Sequence, residues 1–283
     1  MGNIRSGRFE TNDGVRLHYL EAGTGPALVI LPGWTQPAAS FKAQLEGLSG
    51  DYRCLALDFR AHGDSERPRY GYRLSRLAQD CQQFLDHCGI EEAVLLGHSA
   101  GCAVIWNFID LFGESRVRAN IFADQMIARI KMPDWSDAEC RQYGASVTGE
   151  EAIAQAAMLA GPDGETMLRE FLSSEFTPRF PKADIVGVVE NSLKVPRAYA
   201  AALMLSITYC DYRDLLPRIR RPTLCITGAA SPLGAEAMPW IASQIPNARL
   251  SVIGAEEGGS HFMYLENPQA FNADVRKFLA EIS

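Results

Sequence analysis

Gly97-His98-Ser99-Ala100-Gly101 has the residue types and spacing that nucleophilic chemistry at a carbonyl needs. A serine hydroxyl becomes a useful nucleophile once a neighbouring base takes its proton. It also has to stand clear of the chain, and flanking glycines permit the sharp turn that lifts it. The apolar run at residues 93–96 reads as a buried parallel strand, and beyond Ser99 apolar side chains return at helical spacing at Val104, Phe108, Leu111 and Phe112. The serine therefore sits where a strand hands over to a helix. The free N–H groups and positive dipole end of that helix favour the negative charge that develops as serine attacks.

Of the five histidines, His18, His62, His87, His98 and His261, only His261 follows Ser99. The strand-turn-helix serine resembles the nucleophile elbow of the α/β-hydrolase topology, whose partners come in the order serine, acid, histidine, and that resemblance implies His261 as the base. It lies in a Gly-rich loop before the last helix, at the sheet edge where catalytic groups gather. The acid that orients the imidazole is usually sought after the strand at residues 223–227, yet residues 228–233 contain no carboxylate. Glu236 falls inside an expected helix, while Asp211 and Asp214 precede the strand and so fall at its wrong end. Asp124 ends the strand beside the elbow strand and is expected on the same edge as Ser99 and His261; its other possible role is to cap the helix that follows. The second oxyanion donor is expected from the loop Pro32-Gly33-Trp34-Thr35-Gln36, so the backbone N–H groups of Trp34 and Ala100 are assigned to that task. The Trp34 indole also suits a pocket wall.

The elements that must hold these groups can be read in order. Two strands, residues 7–11 and 15–21, meet at Asn12-Asp13-Gly14, a hairpin turn signal. Buried strands are expected at 27–31, 53–57, 93–96, 119–123, 223–227 and 249–253, with helices at 37–48, 74–88, after Ser99, at 234–244 and at 268–282. From 125 to 216 the alternation stops and helices broken by prolines follow one another. The expected fold class is therefore α/β, a mostly parallel doubly wound sheet with an inserted helical lid. Residues 1–124 and 217–283 form the core, and 125–216 the lid. Met126, Met132, Trp135, Met158 and Met167 in the lid suggest an adaptable apolar pocket, or else plain core packing.

With 283 residues and 47% hydrophobic content the chain can bury a large core. Its net charge of −7, with no basic cluster beyond Arg218-Ile219-Arg220-Arg221, argues against a nucleic-acid or anionic-membrane partner. No apolar run reaches the roughly 20 residues that span a bilayer, and residues 1–9 lack a signal-peptide core, so a cytoplasmic protein is expected. The seven cysteines show no C-x-x-C spacing, which implies neither disulfides nor a zinc site. The expected partner is a small-molecule substrate, with no cofactor or metal, and the expected state is a monomer or homodimer.

Taken together, Leu31-Pro32-Gly33-Trp34, the run Asp58-Phe59-Arg60-Ala61-His62-Gly63-Asp64-Ser65, the serine motif, and Gly259-Ser260-His261-Phe262 with Glu266-Asn267-Pro268 resemble the α/β-hydrolase superfamily over nearly the whole chain. Members usually have His-Gly in place of Pro32-Gly33 and Arg-Gly-His-Gly in place of Arg60-Ala61-His62-Gly63. The resemblance implies a hydrolase of carboxylic esters or lactones acting through an acyl-enzyme. Epoxide hydrolases and haloalkane dehalogenases of this fold carry an aspartate where this chain has Ser99. The Pro-Gly-Trp loop and Asp124 also resemble cofactor-independent 2,4-dioxygenases of hydroxy-quinolones, in which a His/Asp pair deprotonates the substrate; those enzymes have histidines where this chain has Gln36 and Ala100. A non-catalytic receptor on the same scaffold is the third reading.

Overall fold

The computed structural model describes residues 3–282. The chain opens with a hairpin of β1 (Arg5–Glu10) and β2 (Arg16–Ala22), whose turn places Gly14 at φ 76°. There follow β3 (Ala27–Leu31), α1 (Lys42–Leu48), β4 (Arg53–Leu57), α2 (Leu74–His87), β5 (Ala93–His98), α3 (Ala100–Phe112) and β6 (Val117–Ala123). Five helices come next: α4 (Asp137–Tyr143), α5 (Gly149–Ala160), α6 (Gly164–Ser174), α7 (Lys182–Ser192) and α8 (Arg197–Thr208). The chain closes with β7 (Thr223–Gly228), α9 (Ala237–Gln244), β8 (Ala248–Ile253), α10 (Met263–Glu266) and α11 (Pro268–Glu281).

One eight-stranded sheet runs in the order β1-β2-β4-β3-β5-β6-β7-β8. β2 pairs antiparallel with both β1 and β4, and the pairings from β4 through β8 are parallel. Every residue of β5 and β7 is buried. Helices cover both faces of such strands, which is why they read as unbroken apolar runs. The carboxyl ends of β3, β5, β6 and β7 therefore lie side by side, and the loops that leave them share one edge.

Local chemistry accounts for where the helices between β6 and β7 begin. Ser136 and Thr148 each accept the N–H three residues on, while Glu139 and Glu151 reach back to the cap N–H, so α4 and α5 start on capping boxes. Three expectations need adjusting. The helix expected over 37–48 enters through a 3₁₀ turn at Ala38–Phe41. The helix expected from 234 starts at Ala237, because Ser231 Oγ accepts the N–H groups of Leu233 and Gly234 and holds a turn there instead. A short helix, α10, also intervenes between His261 and α11.

Candidate active site

Ser99 has φ 50° and ψ −121°, a conformation that a residue with a side chain adopts only under strain. Its neighbours make that turn possible. A Cβ on Gly101 would lie 2.0 Å from the Leu31 carbonyl oxygen, so only glycine lets α3 start this close to β3. The Ser99 N–H donates to Ala123 O at 2.9 Å, which ties the turn to the end of β6. Ala100 is the first helical residue of α3, so its N–H is one of the donors that a helix leaves without an internal partner.

Asp124 follows directly on β6, also at positive φ (54°), and is completely buried. Its Oδ2 lies 2.6 Å from His261 Nδ1 and accepts from Ser231 Oγ at 2.5 Å. Oδ1 accepts the Thr227 hydroxyl and, at 3.4 Å, the Gly228 N–H. A carboxylate only accepts, so in the neutral ring the proton sits on Nδ1 and Nε2 carries the lone pair. The end of β7 and the acid-free loop after it thus each supply a hydroxyl, from Thr227 and Ser231, to the acid that follows β6. A Cβ on Gly234 would come within 2.3 Å of Asp124 Oδ1, so this loop is shaped around the carboxylate.

The other acids weighed from the sequence lie elsewhere. Glu236 is exposed and faces Arg141 at 3.6 Å, while Asp211 pairs with Arg213 and Asp214 with Arg218. The capping role considered for Asp124 falls to other residues, since α4 starts on Ser136.

His98 Nε2 lies 2.8 Å from the His261 carbonyl oxygen. Burial holds its imidazole well below the ordinary range, and its Nδ1 is buried without a partner. That nitrogen faces Gly33, where an added Cβ would lie 2.9 Å from it and 3.3 Å from Ser99 Cβ. The loop carrying Gly33 and Trp34 is held from two sides. Thr35, at φ 62°, donates its N–H to His62 Nε2 at 3.0 Å, and His62 Nδ1 lies 2.8 Å from Arg60 O. The carbonyl can only accept, so Nδ1 carries the ring proton and Nε2 is the acceptor that the Thr35 N–H requires. On the other side the Trp34 indole donates to Ala200 O at 2.9 Å in α8, and Gln36 Nε2 donates to Ser192 Oγ at 2.7 Å in α7.

Ser99, Ala100, His98, His261, Gly33, Trp34 and Gln36 share one cavity. Its empty space, the open mouth included, is about 860 Å³. Leu159, Leu168, Phe171, Leu172, Met204 and Ile207 from α5, α6 and α8 form its apolar wall. Among the five residues between β6 and β7 singled out in the sequence, Met126 and Met167 line it. Met132 and Met158 are instead exposed, and Trp135 packs on Tyr143, so these three do not. Sequence reasoning missed Thr227, Ser231, His98 and Arg129, the last a cationic side chain in the cavity wall. A hydroxyl at each end of the acid-free stretch 227–231 was the available signal for the first two.

Comparison with known proteins places this geometry in context. The model of the alpha/beta hydrolase fold matches residues 26–268. The bifunctional epoxide hydrolase 2 of Mus musculus is 35% identical over 120 residues, 41% of this chain and 22% of that protein. The matched stretch spans only 20 to 22% of the first curated relatives. Among solved structures, an esterase from Exiguobacterium antarcticum is similar with a TM-score of 0.86 at 24% identity, covering 96% of this chain and 98% of that one. A hydrolase from Pseudomonas aeruginosa gives a TM-score of 0.79 at 27% identity, covering 97% and 98%.

Proposed function

The chain belongs to the alpha/beta hydrolase fold family, and from that premise we propose that it is a serine hydrolase cleaving a carboxylic ester or lactone of a small, fairly apolar substrate. The observation that carries the reading is that Ser99, at a strained strand-to-helix turn, lines the same cavity as His261, whose Nδ1 is held by Asp124 at 2.6 Å. In this mechanism Ser99 Oγ attacks the acyl carbon as its proton passes to His261 Nε2. The N–H groups of Trp34 and Ala100 receive the oxyanion. His261 returns the proton to the leaving oxygen, leaving an acyl-enzyme. Water, deprotonated by the same nitrogen, then releases the acid and restores Ser99. Asp124 keeps the ring in the tautomer that both steps use. Residues 125–216 act as the cap that shapes the acyl site, over a core of residues 1–124 and 217–283.

Epoxide opening fits this site less well, although curated relatives carry that name. Attack by a serine oxygen on an epoxide carbon would leave an ether, which has no carbonyl for water to attack. An acyl substrate leaves an ester, which does. The test is labelling by a fluorophosphonate probe together with turnover of a panel of small esters and lactones. Labelling at Ser99 with ester or lactone turnover is the expected result; neither labelling nor turnover would overturn the proposal.

A further inference from the structure

The cavity wall carries one feature that hydrolysis of an apolar ester leaves unused. Arg129 is the only permanently charged side chain among the described residues that line it, and no aspartate or glutamate does. Its backbone is fixed: Arg129 O accepts the N–H groups of Ser146 and Val147, and Ala128 and Ile130 make bridges to Asp211 and Val147. The guanidinium is poorly matched. Nη1 donates to Thr208 Oγ1 at 3.5 Å and Nη2 to Gln155 Oε1 at 3.2 Å, both neutral, while Nε is buried with no partner.

Another arginine of the same chain shows what a buried guanidinium ordinarily requires. Arg60, fully buried, is held by Asp80 at 2.6 Å and by Asp13 at 2.8 Å. Arg129 has no acidic oxygen within 4.0 Å among the described residues. The acid whose charge does reach it, Glu175, is buried at the end of α6 and makes no hydrogen bond to it, and burial pushes the Glu175 carboxyl up toward its neutral form. A desolvated cation without a counter-ion is costly, and a planar guanidinium is suited to a carboxylate that approaches with two oxygens.

We propose that Arg129 receives a carboxylate of the substrate, with Gln155 and Thr208 beside it, so that the preferred substrate is a small ester or lactone bearing a free carboxylate. This rests on the serine-hydrolase reading for the bond that is cleaved, whereas the anion subsite itself does not depend on it. The apolar wall then holds the carbon skeleton between the two polar ends.

The experiment compares monoethyl glutarate with ethyl valerate, two esters of equal acyl length that differ in the terminal carboxylate. In the wild type, kcat/KM for the half-ester should exceed that for the neutral ester by about 10-fold or more, and Arg129→Gln should lower that ratio by about 10- to 100-fold, chiefly through KM. Arg129→Lys should keep part of the preference. A wild-type ratio of one or less, or a ratio unchanged in Arg129→Gln, overturns the anion subsite while leaving the hydrolase reading in place. Glutarate binding, followed by thermal shift, separates the two ideas. If neither ester is cleaved, stabilisation by glutarate that Arg129→Gln abolishes sustains the subsite, and the hydrolase reading is decided separately by the fluorophosphonate probe and the ester and lactone panel; no stabilisation overturns the subsite. Should Arg129→Gln fail to fold, the wild-type ratio and Arg129→Lys decide it.

Discussion

His98 Nε2 meets the carbonyl oxygen of His261 at 2.8 Å, so the residue before the candidate nucleophile holds the backbone of the candidate base. A carbonyl only accepts, which places the ring proton on Nε2. Burial keeps the imidazole well below its ordinary range, so the donor stays neutral and in place. The elbow and the β8–α10 loop are thereby locked to one another independently of the Asp124 contact.

Replacing that ring by a similar one without a donor tests the lock. His98→Phe should lower kcat about 10-fold while KM stays within about twofold, because a misplaced imidazole costs more in the transition state than in binding. The orphaned His261 carbonyl should also lower Tm by a few degrees. Steady-state kinetics and a thermal melt read both quantities. An unchanged kcat alongside a lowered Tm would reduce His98 to a packing residue.

The strain at Ser99 makes a second pair of variants informative. Ser99→Ala should abolish ester turnover and probe labelling with the fold intact, and Ser99→Gly, equally inactive, should be more stable than wild type by about 1–3 kcal/mol as the φ 50° conformation becomes unstrained. Chemical denaturation measures the difference. Near wild-type turnover by Ser99→Ala would take the nucleophile's role from Ser99 and move the assignment to a mechanism in which the His261/Asp124 pair acts as base without it.

The centre of the sheet was legible because β3, β4, β5 and β7 are buried apolar runs, and His261 was legible because it alone of the five histidines follows Ser99. What resisted reading were contacts made across the sheet edge. Thr227 in β7 and Ser231 in the loop after it hold Asp124 from about a hundred residues away, and their two hydroxyls in an acid-free stretch do not by themselves say which acid they meet. His62 is a similar case: its motif is visible in the chain, yet its task, accepting the Thr35 N–H beside Trp34, exists only once β3 and β4 are neighbours. The methionines between β6 and β7 divide for a related reason: Met126 and Met167 line the cavity while Met132 and Met158 are exposed, since helical spacing shows that a face exists but not which neighbour it meets.

Glu175 yields a prediction about pH. Burial is the largest influence on its carboxyl and raises its pKa above the ordinary 4.5, although the nearby charge of His261 acts the other way. A carboxyl that holds its proton more tightly when folded adds stability below its unfolded pKa, and that stability is lost as pH rises through the folded value. Glu175→Gln removes this dependence. The variant should gain Tm over wild type at pH 8 and little or nothing at pH 4, read from melts across that range. A gain confined to low pH would reverse the sign and refute the assignment of burial as the dominant cause.

The position of the acid is the most exposed claim. The loop after β7, its usual place, carries Ser231 and no acid, and Asp124 meets the His261 ring from the end of β6 instead. Asp124→Asn should keep the fold and cost several orders of magnitude in kcat, because an amide can present its N–H to Nδ1, which favours the wrong tautomer and removes the charge that stabilises the imidazolium. Ser231→Ala should cost far less, about 10-fold, since the carboxylate keeps its Thr227 and Gly228 contacts. Glu236→Gln, changing an exposed side chain whose partner is Arg141, should be nearly silent. Measured kcat values in the order wild type, Glu236→Gln, Ser231→Ala, Asp124→Asn support the arrangement; inactivity of Glu236→Gln beside an active Asp124→Asn would transfer the role to the carboxylate after β7.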